Sequence, residues 1–70
     1  PRTFAMKDVA FAIDVVFVDE QDRVSAVERL VPGDTHPVTG PAPARYVIEL
    51  PAGWAAEHGI GVGSRFQPPE

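Results

Sequence analysis

The chain has 70 residues, no cysteine and a formal net charge of -4. That length holds one domain, residues 1–70, and the absence of thiols excludes disulfides and thiolate zinc sites. Six basic residues spread along an acidic chain give no footprint for a phosphate backbone, so nucleic acid is not expected as a partner.

Eight prolines and six glycines favour several short elements joined by tight turns. A core this small rarely supplies more than about 3 to 5 kcal/mol, so burial against a partner, a second copy included, is the expected supplement. The longest apolar stretch, Val9 to Val18, is broken by Asp14 and falls well short of the roughly 20 residues a membrane-spanning helix needs. A soluble chain with no membrane span is expected.

Within Val9 to Val18, Phe11, Ile13, Val15 and Phe17 alternate with Ala12, Asp14, Val16 and Val18, the period of a strand. Both faces are largely apolar, which predicts a central strand and makes Asp14 the residue that demands a partner. Asp19-Glu20-Gln21-Asp22 is a polar break of hairpin length. In Arg23 to Val31 the residues Val24, Val27, Leu30 and Val31 keep no single period. A strand with a bulge or bend is the reading, and a two-turn helix over Ser25 to Val31 competes with it.

Pro32 to Pro43 reads as a loop, because its prolines and glycines deny a ladder its donors and fix bends. About 12 residues without regular structure is long for a compact domain and points to function or disorder. Arg45 to Leu50 predicts a strand with Tyr46, Ile48 and Leu50 on one face and Arg45, Val47 and Glu49 on the other, ended by Pro51. Pro51 at a first-turn position and Trp54 to His58 fit one short helix anchored by Trp54 and closed by a left-handed Gly59. Ile60 to Phe66 reads as a turn feeding a final strand, and residues 67–70 as a frayed tail. The expected fold class is mainly β: a small barrel-like or curled sheet of about five strands with one short helix.

Three stretches are Phe4-Ala5-Met6-Lys7-Asp8, then Ile13-Asp14-Val15-Val16-Phe17-Val18-Asp19, then Ala44-Arg45-Tyr46-Val47-Ile48-Glu49-Leu50-Pro51-Ala52-Gly53-Trp54. The last runs on into His58-Gly59-Ile60-Gly61-Val62-Gly63-Ser64-Arg65. In this order they cover most of the chain and resemble the prokaryotic domain-of-unknown-function family 192. The departures are Ala5 and Asp8, where members commonly carry Trp and Asn, and Ser64, where they carry Asp. Members usually begin with a further segment rich in Gly, Met and Phe, so the start at Pro1, with neither an initiator Met nor a signal-peptide pattern, suggests cleavage or a shortened variant. The resemblance implies a compact β-barrel-like fold with a short helix, a cytoplasmic or exported location, no agreed activity and no catalytic residue to carry over. Gly59 to Arg65 is also similar to the glycine turn of small cradle-type barrels, which favours a barrel over a sandwich.

Lys7, Asp14, Arg45 and Glu49 lie in or beside the predicted strands, where two acids and two bases could close a partly buried ion-pair cluster or hold a ligand. Asp14 and Glu49 could act as paired carboxylates only if their environments pushed their pKa values apart, and nearby Lys7 and Arg45 would keep both ionised. His36, with Asp34, offers two metal ligands where a structural zinc site wants four. His58 fits a structural role at a helix C-terminus. No serine sits in a nucleophile elbow, and Gly59-x-Gly61-x-Gly63 has the wrong spacing and follows a helix instead of preceding one. Trp54 is either a core anchor or a platform beside a cleft.

No catalytic residue, metal site or cofactor is therefore expected. The first expectation is a non-catalytic binding or interaction domain in which Lys7, Asp14, His36, Arg45, Glu49 and Trp54 are the candidates to meet a small molecule or a protein. A small hydrolase-like enzyme using Asp14 and Glu49, and a self-assembling structural domain, are the alternatives.

Overall fold

The computed structural model describes residues 3–4, 11–33, 38–41 and 44–67. In chain order the elements are strands β1 (Thr3–Phe4), β2 (Ile13–Val18), β3 (Val24–Leu30), β4 (Val38–Thr39) and β5 (Tyr46–Pro51), then the one-turn helix α1 (Trp54–Glu57). The main sheet is three-stranded and antiparallel in the order β3-β2-β5, and β1 and β4 form a separate two-residue ladder.

β2 is the central strand that its sequence predicts, and all six of its residues are buried. Ile13, Val15 and Phe17 pack on one face with Leu30, Ala26 and Val47. Val16 and Val18 pack on the other with Val24, Ala55, Tyr46, Ile48 and Phe66. Because β5 alternates too, Tyr46, Ile48 and Leu50 join the second face and Val47 the first. Completely burying a residue such as Phe17 or Val15 stabilises the fold by about 1.5 to 3 kcal/mol.

The broken period of β3 has a local cause. Phe17 pairs with Ala26 while Val18 pairs with Val24, so Ser25 is an extra residue, and its hydroxyl donates to the Phe17 carbonyl at 3.2 Å. This bulge lets Val24 and Val27, three residues apart, share one face, and then sends Leu30 to the other. The competing helix over Ser25 to Val31 does not form.

The expected barrel of about five strands is corrected. Three strands share the main sheet, and among the described residues it does not close. Ile60 to Phe66 fails as a final strand because its glycines turn the chain. Gly63 has a φ of 92°, the Ser64 N–H donates to the Gly61 carbonyl, and what remains is one antiparallel bridge, Arg23 to Arg65. Within the expected long loop, Val38–Thr39 pairs with Thr3–Phe4, and Gly40 is buried against Phe17.

The helix is shorter than expected and begins later. Pro51 is the last residue of β5, not a first-turn residue, and Gly53, at a φ of 87°, starts α1. Its end follows the expectation. Gly59 has a φ of 68°, its N–H donates to the Ala56 carbonyl, and the Ile60 N–H reaches back to Ala55 at 2.8 Å. Those two bonds are a Schellman closure, and Ile60 and Ala55 pack in the same cluster.

Candidate functional site

Asp14 is 3% exposed on the central strand, on the sheet face that α1 covers. Oδ2 accepts the Gly53 N–H at 3.0 Å and Oδ1 accepts Arg29 Nε at 3.2 Å. Arg29 stands directly opposite Asp14 in the β2–β3 register, and its side chain is 54% exposed. The carboxylate thus fastens the β5–α1 turn to the middle of the sheet, and its two acceptor oxygens are occupied in doing so.

The other candidates are dispersed. Arg45 precedes β5 at the far end of the sheet, pairs with Asp22 Oδ1 at 3.4 Å and lies over the Tyr46 ring at 5.4 Å. The Asp22 oxygen has no oriented hydrogen bond, so this contact is an ion pair only. Glu49 is exposed. It opposes Val15, whereas Asp14 opposes Leu50. Adjacent register positions face opposite sides of a sheet, so Asp14 and Glu49 do not converge on one reacting group. Lys7 and His36 lie outside the described residues.

Among the described residues, a cleft of about 210 Å³ lies beside Trp54, and a more open hollow of about 300 Å³ lies at Phe11, Ile13 and Pro51. The floor of the cleft is the α1-side face of the sheet, with Val16, Val24, Ile48 and Leu50. Its walls are Trp54 from the helix, Ile60 after the Schellman turn, and Ser64, Arg65 and Phe66 from the segment that runs along β3. Phe66 is held by Tyr46, with ring centroids 5.1 Å apart. Trp54 is 37% exposed. Its ring stacks on His58 at 3.6 Å and 17°. The His58 Nδ1–H donates to the Trp54 carbonyl at 2.9 Å, which fixes both rings one helical turn apart. Trp54 is thus a partly exposed wall of the cleft and is not sealed in the core.

The family model for DUF192, described as uncharacterized ACR, matches residues 1–68. The chain belongs to the DUF192 family. No curated protein and no solved structure matches it. Among the described residues of this DUF192 chain, no helix is long and apolar enough to cross a membrane, and no three His, Asp or Glu side chains are grouped to hold a metal ion.

Trp54 is the one cleft residue that sequence reasoning named as a candidate; those it passed over include Ile60, Ser64 and Phe66. Their available signal was the spacing of Ile60, Gly61 and Gly63. Glycine turns carry that segment back onto β3 instead of onward into a strand of its own.

Proposed function

We propose that this domain is a non-catalytic binding module whose ligand seats an apolar group in the Trp54 cleft. The observation that carries this reading is an open, almost wholly apolar cleft in a 70-residue chain, where apolar surface belongs in the core. Ligand sites are concave, mostly apolar and fitted with a few polar groups. An apolar cavity of about 150 Å³ is enough to hold benzene, so this one has room for a single ring or a branched aliphatic group. Asp14 and Arg29 serve as the brace beneath the site, leaving recognition to Trp54, Ile48 and the segment at Ser64 to Phe66.

The test is a thermal-shift titration with toluene, since whatever binds only the folded state raises the melting temperature. A saturable rise, reduced by the cleft-narrowing Ile48→Phe variant, supports the reading. No rise at any concentration short of denaturation counts against it.

A second reading, self-association, draws on Phe11, which is 65% exposed where it leads into β2 and lines a shallow hollow with Ile13 and Pro51. Sedimentation of wild type and Phe11→Ser tests it. A monomer at every concentration removes it.

A further inference from the structure

Ser64 and Phe66 line the Trp54 cleft, and in an extended segment the residue between them projects the other way. Arg65 therefore carries its charge on the side of the sheet away from the cleft, and it is exposed there. Arg23 stands directly opposite it. Val24, the next residue after Arg23, packs on the cleft side, so alternation sends Arg23 to the same side as Arg65. The Val24 N–H donates to the Ser64 carbonyl and the Phe66 N–H to the Asp22 carbonyl. That pattern makes the two arginines a non-hydrogen-bonded antiparallel pair, the kind whose Cα atoms lie about 4.5 Å apart.

Like charges opposed across a ladder destabilise it, and among the described residues no acid offsets this pair. Arg29 is paired to Asp14 and Arg45 to Asp22. Asp19, across the hairpin from Arg23, turns Oδ1 to the Gln21 and Arg23 backbone N–H groups at 2.9 and 3.1 Å. The Arg65 guanidinium makes no ion pair or hydrogen bond, and Arg23 makes one bond, from Nη1 to the Gly63 carbonyl at 3.3 Å. That bond draws the Arg23 head toward the segment that carries Arg65. Two of the six basic residues in a chain of net charge -4 are thus set side by side where no acid meets them.

We propose that Arg23 and Arg65 form an anion site for the phosphoryl group of a small phosphomonoester, on the opposite side of the sheet from the Trp54 cleft and independent of it. Each guanidinium presents a planar fork of N–H donors that fits phosphate oxygens. Two of them match a dianion in charge, and a phosphomonoester is chiefly dianionic at neutral pH. A carboxylate or a phosphodiester brings one charge and leaves one arginine unneutralised. One arginine pair in an acidic chain suits a single phosphoryl group and not the run of phosphates in a nucleic acid. The bound dianion also offsets the repulsion between the two arginines.

The test follows the arginine Nε–H signals of the full chain by NMR at about pH 7.5, at constant ionic strength. The probes are methyl phosphate, a dianion there, and dimethyl phosphate, a tetrahedral monoanion. Methyl phosphate is expected to shift Arg23 and Arg65 saturably, to leave the acid-paired Arg29 and Arg45 in place, and to bind roughly tenfold tighter than the diester. Arg65→Gln is expected to weaken methyl phosphate at Arg23 roughly tenfold, and Arg65→Lys to restore part of the loss. Arg65→Gln removes a repulsion, so a melting temperature no lower than wild type reports that its fold is intact. Shifts spread evenly over Arg23, Arg29, Arg45 and Arg65, shifts reproduced by sodium chloride, or equal binding of monoester and diester overturn the assignment. An affinity unchanged in a folded Arg65→Gln variant overturns it too.

Discussion

Gly40 packs its bare Cα against the ring of Phe17. A Cβ built there would overlap three of the ring's carbon atoms, and Phe17 is itself fully buried at the centre of the sheet. Neither partner has space to yield.

Gly40→Ala is therefore expected to destabilise the fold by about 1 to 3 kcal/mol, the usual cost of overpacking a tight core. Urea denaturation followed by circular dichroism measures it. A midpoint unchanged from wild type would mean that residues 38–41 are not seated on that face.

Asp14 and Arg29 form an ion pair whose two halves differ in worth. Asp14→Ala leaves the buried Gly53 N–H without its acceptor and is expected to cost about 1 to 3 kcal/mol. Arg29→Ala removes a half-exposed partner and is expected to cost under about 1 kcal/mol. Equal losses would contradict the anchoring of the β5–α1 turn by the carboxylate.

At Gly59 nothing lies within 4 Å of a built Cβ, so the cost of a side chain there is purely one of backbone conformation. Gly59→Ala is expected to lose about 1 to 2 kcal/mol through the left-handed φ, and Gly59→Asn less, because Asn tolerates that region. The order Ala worse than Asn, read from melting temperatures, checks the Schellman closure.

Trp54 separates the fold from the site. Fully buried Trp or Phe truncations cost about 3 to 5 kcal/mol. Trp54→Ala, at a half-open position, is expected to cost about half of that while abolishing toluene binding. A loss in the full core range, with binding retained, would return Trp54 to the role of anchor.

The strand pattern was legible where a physical period carried it. β2 announced a central position because both of its faces are apolar, and Asp14 announced a need for partners because a carboxylate cannot be buried alone. Arg29 could not be read as one of those partners, because the register that sets it opposite Asp14 depends on a hairpin and a bulged Ser25 that no periodicity encodes. The β2–β5 register sends Glu49 to the far face and separates it from Asp14. The cleft was the least legible feature. It is assembled from β2, β3, β5, α1 and the Ser64–Phe66 segment, elements far apart in the chain, and depends on glycine turns that direct the last segment back along β3.

The decisive measurement is a methyl and indole NMR titration of the full chain with toluene. Saturable shifts confined to Val16, Val24, Ile48, Leu50, Ile60 and the Trp54 indole are expected. Shifts that are absent, or that gather instead at Phe11 and Ile13 in the hollow beside Pro51, would show that the Trp54 cleft is not the binding site.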